Sequence, residues 1–228
     1  LRAATGDIGI LRAAVQGLPT SAPRKAALLR HLWRPQRFRA LLERFAGRAP
    51  LSPERAALLR RLAEGEPVQA GAPHLGLRGP EEIAARLRTL AEDAATPPVA
   101  AALVDELEAM LAIAAKSPQA LEQLRAHVPA MPWIGASVDG FARRLDALAA
   151  RGIDIDGLDF EASYGRTTLE YYDGFVFGFY AEARPDLPPV ASGGRYDALT
   201  AVLGQGRAIP AVGGVIRPAL VMALGEGG

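Results

Sequence analysis

Apolar residues recur every three or four positions through most of the first two thirds of the chain, as they do on the buried face of an α-helix. Proline and glycine divide this stretch into separate helices, because proline donates no backbone hydrogen bond and fits best in a first turn. The predicted starts and breaks fall at Pro35, Ser52-Pro53-Glu54, Gly79-Pro80-Glu81, Pro98, Ser117-Pro118 and Ser137, the last expected to cap a helix. We expect these helices to form a packed core, and residues 23–148 carry no recognisable chemistry.

The pattern changes after Gly152. Residues 158–164 alternate apolar and polar positions, as a half-buried strand does, and residues 169–172, 175–180 and 208–216 also favour strands. A short helix is predicted over 196–203 and a closing helix over 218–224. Helices followed by antiparallel strands indicate an α+β fold rather than a doubly wound α/β fold.

Composition narrows the possible partners. The 228 residues carry a formal net charge of +1 and contain no cysteine. The near-neutral charge gives no reason to expect nucleic acid or a membrane surface as a partner, and no apolar run is long enough to span a bilayer. Without cysteine the chain has no disulfide, thiolate nucleophile or cysteine-ligated zinc, which fits the cytoplasm. His31, His74 and His127 show no ligand spacing, so we expect no metal and no cofactor.

Two features of the last third suggest a binding pocket. The first is Tyr171-Tyr172 beside Asp173-Gly174, a pair that signals a hairpin turn. Adjacent residues on a strand face opposite sides, so at most one of the two tyrosines is expected to line a pocket. The second is Gly193-Gly194-Arg195-Tyr196-Asp197, where paired glycines would let a ligand approach the backbone and the N–H groups of the following helix would favour an anion.

The polar residues of this region leave alternatives open. Arg195 is equally suited to bind a carboxylate with two guanidinium nitrogens or to pair with Asp197 or Glu170. Gly204-Gln205-Gly206-Arg207 could cradle a phosphate, although such a sequence more often forms a helix stop and a turn. No nucleophile lies beside a base and no histidine is near. The residues alone therefore indicate a small-molecule-binding fold without a visible catalytic set.

Three segments together resemble the catalytic core of class II histidyl-tRNA synthetases. Leu169-Glu170-Tyr171-Tyr172-Asp173-Gly174-Phe175-Val176-Phe177 is similar to that family's histidine-binding segment, Gly193–Asp197 is identical to its Gly-Gly-Arg-Tyr-Asp segment, and Pro210-Ala211-Val212-Gly213 begins its last motif. The resemblance covers about the last seventy residues and extends weakly to residues 5–9, which look like a strand. It implies an antiparallel sheet flanked by helices with a helical insertion, in one domain over 1–228. Residues 20–130 would be mostly helical, 153–228 would form the sheet, and the N-terminal part of the fold would be missing.

The departures from the synthetase pattern concern its catalytic arginines. Thr167 and Thr168 stand where the family has Arg-Gly, and Arg166 lies one residue too early, which on a strand would direct its side chain to the other face. In the last motif Leu220 stands where the family has the arginine that stacks on ATP. A leucine cannot replace a transition-state cation. The resemblance therefore implies a non-catalytic relative, and the family with this combination is the ATP phosphoribosyltransferase regulatory subunits.

The resemblance to that family implies a function, partners and a binding site for this chain. It implies a subunit of the first enzyme of histidine biosynthesis that supports the short-form catalytic subunit, self-associates as a dimer, conveys feedback inhibition by histidine and binds no tRNA. The implied histidine-like pocket comprises Glu170, Tyr171, Tyr172, Gly174, Gly193, Gly194, Arg195 and Tyr196. Two alternatives remain, a divergent histidyl-tRNA synthetase that activates histidine with ATP and a module that binds another amino acid. We also expect a fragment of such a fold to expose apolar surface.

Overall fold

The computed structural model of the chain describes residues 1–65, 79–166, 170–207 and 209–225. The strands within these residues are β1 (Arg2–Asp7), β2 (Ala114–Lys116), β3 (Asp159–Glu161), β4 (Phe175–Tyr180), β5 (Ala191–Arg195) and β6 (Val212–Ile216). The helices are α1 (Ile8–Gly17), α2 (Ala22–Arg30), α3 (Pro35–Phe45), α4 (Pro53–Ala63), α5 (Pro80–Ala95), α6 (Ala101–Leu111), α7 (Ser117–His127), α8 (Gly135–Ala149), α9 (Asp197–Leu203) and α10 (Pro218–Gly225). One 3-10 turn, Pro132–Ile134, precedes α8.

The strands of the described residues form one mixed sheet. Its order is β2-β3-β1-β4-β5-β6, and every neighbouring pair is antiparallel except β1 with β3. Strand β1 lies inside the sheet, where Arg2 is opposite Tyr180 and Asp7 is opposite Phe175. The segment that holds the pocket motifs, β4 and β5, is therefore built on a strand from the other end of the sequence.

The helices cover the sheet and form the core with it. Phe141 of α8 stacks on Phe160 of β3 with ring centroids 4.7 Å apart, and both side chains are buried. Helix α1 follows β1 directly because the Asp7 side chain accepts the N–H of Gly9 at 2.9 Å and caps the first turn. Gly17 at the other end of α1 lies so close to the Trp133 ring that a side chain there would clash. These contacts place α8 on β3 and α1 beside β4.

Most helices predicted from the apolar periodicity are present in the structure, with small differences at their ends. The breaks at Pro35, Ser52-Pro53 and Gly79-Pro80 are confirmed, and Ser52 Oγ accepts the N–H of Arg55 as an N-cap does. The cap predicted at Ser137 is wrong, because α8 begins at Gly135 as a continuation of the preceding 3-10 turn. The α+β class is confirmed.

The strand predictions were less accurate. Residues 5–9 do not form a strand as a unit, since β1 ends at Asp7 and α1 begins at Ile8. The strand predicted over 158–164 is shortened to β3, and residues 162–166 turn away. Of the strand predicted over 169–172, Leu169 lies outside the described residues and Glu170 and Tyr171 form a turn.

The strand at the β6 end of the sheet is the most exposed. Val212, Val215 and Ile216 are each more than half exposed, as are Val202 and Leu203 of α9 and Met222 of α10. This bears out the expectation of exposed apolar surface. Among the described helices none is both long and apolar enough to cross a membrane.

Candidate functional site

Three tyrosines form a cluster where the segment before β4 meets the end of β5. The ring of Tyr172 lies 4.6 Å from that of Tyr171 and 6.4 Å from that of Tyr196, centroid to centroid, and Tyr171 meets Tyr196 edge to face at 5.6 Å. Tyr172 is only 7% exposed, whereas Tyr171 is 40% exposed. Tyr172 lines the cavity described below and Tyr171 does not, as expected of at most one of the two tyrosines. The reason differs, because the segment is a turn rather than a strand and strand alternation does not apply.

A cavity of about 270 Å³, here called the tyrosine pocket, opens beside this cluster. It is lined by Tyr164, Tyr172, Val176, Phe177, Pro189, Ser192, Gly193 and Arg217. The Tyr164 hydroxyl lies 3.0 Å from the hydroxyl of Tyr180. Burial, and then the neighbouring Tyr180 hydroxyl, raise the pKa of Tyr164 well above its usual range. Burial, and then the Tyr171 hydroxyl, raise the pKa of Tyr172 to about 12. Both phenols are therefore neutral hydrogen-bonding groups at physiological pH.

The paired glycines of β5 serve strand packing. A Cβ on Gly193 would collide with the carbonyl oxygen of Gly213 on β6 and with the Phe177 ring. A Cβ on Gly194 would lie 2.7 Å from both the Phe175 carbonyl oxygen and the Tyr172 ring. The prediction that both glycines give a ligand access to the backbone is wrong for Gly194, because the protein itself occupies that space. Gly193 does line the tyrosine pocket.

The N-terminus of α9 already holds an anion, the side chain of Asp173. One carboxylate oxygen accepts the N–H of Asp197 at 3.1 Å and the other accepts the N–H of Ala198. The helix start does bind a negatively charged group, as predicted. That group is a side chain of the protein itself and not a ligand. The hairpin predicted at Asp173-Gly174 is also absent, because β4 pairs with β1 and β5 and the segment before it is a turn.

The charged candidates are paired outside the tyrosine pocket. Arg195 binds the Asp197 carboxylate through Nε at 2.8 Å and Nη2 at 2.6 Å, which selects one of the open alternatives. Burial by itself would raise the pKa of the Asp197 carboxyl, but the N–H of Ala211 and the Arg195 guanidinium outweigh it and lower the pKa. Glu170 is exposed and lies 3.9 Å from Arg34. Gly174 and Arg195 line a different cleft from the one beside Tyr172.

The sequence departs from the synthetase pattern at Thr167 and Thr168, directly after Arg166. Thr167 and Thr168 lie outside the described residues. Arg166 belongs to a turn rather than a strand, so the offset argument does not hold for it. Its side chain is 5% exposed, Nε donates to the Leu32 carbonyl at 2.9 Å, and the guanidinium lies over the Phe38 ring. Arg166 is thus directed at the helical layer and does not line the tyrosine pocket.

Several residues of the pocket were not singled out from the sequence. Tyr164 was treated only as part of a strand, and Ser192 and Arg217 were not considered as pocket residues. Arg217 is half-buried, lines the pocket and donates from Nη1 to the Pro189 carbonyl at 2.6 Å. A basic residue at the end of an apolar strand was the signal available. The phosphate cradle considered at Gly204–Arg207 is a helix stop and turn, with Gln205 and Gly206 at positive φ.

The described residues contain no group of three or more histidine, cysteine, aspartate or glutamate side chains that could hold a metal ion. The pocket offers phenols, one serine hydroxyl and one guanidinium on largely apolar walls. Such a lining suits a small polar ligand with an apolar or aromatic part.

This fold is that of class II aminoacyl-tRNA synthetase-like proteins. It is shared with two solved structures, an ATP phosphoribosyltransferase regulatory subunit/histidyl-tRNA synthetase from Bacillus halodurans C and a histidyl-tRNA synthetase from Nostoc sp. PCC 7120, both with a TM-score of 0.55. The sequence identities are 17% and 14%, and the matches cover 96% and 99% of this chain and 42% of each solved chain.

The chain belongs to the histidyl-tRNA synthetase family, whose model matches residues 81–219. The ATP phosphoribosyltransferase regulatory subunit of Brucella ovis is 39% identical over 156 residues, which are 68% of this chain and 41% of that relative. The chain thus spans less than half the length of the curated relatives it matches.

Proposed function

We propose that this chain is part of a regulatory subunit of ATP phosphoribosyltransferase, acts in the first step of histidine biosynthesis and is not itself catalytic. The observation that carries the proposal is the 39% identity over 156 residues to a relative of that name. The fold alone does not distinguish a regulator from a synthetase, because one fold can carry both functions. The site residues are further support for the regulator.

The loss of the synthetase's catalytic charge supports a non-catalytic role. Leu220 occupies the register of the ATP-stacking arginine and lies half-buried on α10, one turn after Arg217. An aliphatic side chain cannot stabilise charge that develops in a transition state. Arg166, the nearest arginine in sequence to the other missing cation, is held by the Leu32 carbonyl and the Phe38 ring.

The tyrosine pocket supports a sensor for histidine. Its volume of about 270 Å³ suits an amino acid, and its walls are mainly apolar. The neutral hydroxyls of Tyr164 and Tyr172 and the hydroxyl of Ser192 can hydrogen-bond to an imidazole, since each both donates and accepts. Arg217 is the guanidinium of the described lining and is the group we assign to the ligand carboxylate.

In this proposal the remaining family properties apply to the whole product of the gene. It assembles as a dimer with the short-form catalytic subunit in the cytoplasm, raises its activity and passes histidine binding on as inhibition. It charges no tRNA.

The decisive experiment measures phosphoribosyl transfer to ATP by the purified short-form catalytic subunit, with and without the product of this gene. We expect activity to rise on its addition and inhibition by histidine to require it. In parallel, histidine-dependent exchange of pyrophosphate into ATP is measured on the protein alone. Robust exchange would assign the protein to the synthetases instead and would overturn the proposal.

Matched variants test the pocket separately from assembly. Arg217→Gln should raise the histidine concentration needed for half-inhibition about tenfold, as expected for loss of a charge-assisted hydrogen bond. Activation of the catalytic subunit should not change. The control is Arg184→Gln, which removes an exposed guanidinium paired with Asp186 in the loop after β4. Equal effects of the two variants would contradict the assignment of Arg217.

A further inference from the structure

A second cleft lies where α1, α8 and the start of β4 meet, and it differs from the tyrosine pocket in chemistry. Its volume is about 500 Å³, and four arginines and three aspartates line it, so positive charge is in excess. The arginines are Arg12 of α1, Arg143 and Arg144 of α8, and Arg195 at the end of β5. We call it the arginine cleft.

Every carboxylate of the arginine cleft already has partners. Asp7 accepts the N–H of Gly9 at 2.9 Å and lies 2.8 Å from Arg144 Nη1. Asp173 accepts two N–H groups at the start of α9. Asp197 accepts the N–H of Ala211 at 2.8 Å and binds Arg195. These anions are fixed in the structure, so none is available to neutralise a further cation.

The guanidinium groups, in contrast, are not all satisfied. Within the described residues, Arg12 and Arg143 have neither an ion pair nor a hydrogen-bonded acceptor, although Arg12 is half-buried. Arg144 Nη2 is buried without a partner. The Arg144 guanidinium is held over the Phe175 ring at 4.5 Å and the Phe141 ring at 5.1 Å, so its plane is fixed beside the cleft.

Guanidinium groups without a partner around one cavity are suited to bind phosphate oxygens, because each group offers two parallel N–H donors. We propose that the arginine cleft binds a diphosphate, free or as part of a nucleotide, with Arg12 and Arg143 on the phosphate oxygens and Arg144 as a fixed wall. Arg12 and Arg143 belong to different helices, so each guanidinium fork can take one phosphate of a diphosphate. The cleft is large enough for a diphosphate with an organic group attached.

Calorimetry with inorganic pyrophosphate tests the site on the purified protein, at low ionic strength so that screening does not hide binding. We expect pyrophosphate to bind more tightly than inorganic phosphate. The double variant Arg12→Gln with Arg143→Gln should weaken pyrophosphate binding by about tenfold or more, since two charge-assisted contacts are lost. The control pair Arg30→Gln with Arg88→Gln removes the same charge from exposed positions outside the cleft and should leave affinity within about twofold. Circular dichroism of both double variants checks that they remain folded.

A second arm identifies the source of the diphosphate. Equal affinity for pyrophosphate and ADP would show that the phosphates alone are recognised. Tighter binding of ADP would show an additional contact to the nucleoside. Both outcomes support the proposal. No binding of pyrophosphate, an equal loss in the control pair, or binding of an acidic peptide that pyrophosphate cannot displace would overturn it.

Discussion

The carboxylate of Asp173 accepts the backbone N–H of Asp197 at 3.1 Å and so caps α9 from a position 24 residues earlier in the sequence. The contact joins the tyrosine turn to the helix that follows the Gly-Gly-Arg-Tyr-Asp segment. In return the N–H of Asp173 donates to the Arg195 carbonyl at 3.0 Å. The two motifs that the sequence resemblance rests on are thus one structural unit.

Asp173→Ala should destabilise the protein by about 1–2 kcal/mol, because two N–H groups at a helix start lose their acceptor. Urea unfolding followed by circular dichroism measures the change. Asp173→Asn keeps one capping oxygen and should cost less, as asparagine caps nearly as well as aspartate. An alanine variant as stable as the wild type would show that the cap contributes nothing.

Gly193→Ala should destabilise by about 1–3 kcal/mol, because the added methyl group collides with the Gly213 carbonyl and the Phe177 ring. Gly140→Ala is the matched control. Gly140 lies in the interior of α8, where a Cβ would come no closer than 3.8 Å to Arg143, so alanine should be neutral or stabilise by up to about 1 kcal/mol. Thermal unfolding of both variants gives the comparison. Similar melting temperatures would contradict the strand-packing account of Gly193.

Tyrosine ionisation gives a pH-dependent prediction. The pKa of Tyr172 is raised from 10.0 to about 12 in the fold, so folding favours the neutral phenol. The stability that this provides is fully present below pH 10 and is lost as the pH rises through about 12. When tyrosinate absorbance is followed as the pH rises, part of the increase should therefore appear only near pH 12. Tyr172→Phe should reduce this late part. Tyr171→Phe should instead move this part of the titration to lower pH, because the Tyr171 hydroxyl contributes to the raised pKa of Tyr172. An unchanged titration in Tyr172→Phe would disprove the assignment.

The exposed face of β6 should make the 228-residue chain self-associate as its concentration rises, because Val215 and Ile216 offer apolar area on a strand at the end of the described sheet. Val215→Lys with Ile216→Lys should shift the chain towards the monomer. Light scattering after size exclusion measures the mass. Ile153→Lys, also at an exposed apolar position, should leave association unchanged, and a monomer at all concentrations would refute the prediction.

The helices and the motifs could be predicted from the sequence because their causes are local. Pro35, Ser52 and Pro53 act within a single turn, and each breaks or begins a helix where expected. The arrangement of the site depends on contacts between distant residues. Nothing near Asp173 in the sequence shows that it caps α9, and nothing near Arg166 shows that Leu32 accepts its N–H at 2.9 Å.

The wrong predictions share one physical origin. A period of two was applied to Tyr171-Tyr172 as if the segment were a strand, and a helix start was treated as open to solvent. The first rule holds only where the predicted strand is present. The second holds only where no side chain of the protein already binds the helix start. The place of Arg217 in the pocket could not be predicted either, because it depends on the distant Pro189 carbonyl that accepts its Nη1–H at 2.6 Å.

The position of β1 in the sheet has a consequence for the order of folding. Arg2 bonds to Asp159, 157 residues away, and β1 separates β3 from β4. The helices between them can form locally, but the sheet closes only after both ends of this long loop meet, and closing it costs chain entropy before any contact is gained. During that interval the backbone N–H and C=O groups of β4 that face β1 have no partner. A chaperone that shields residues 175–180 until β1 docks would therefore raise the yield of folded protein.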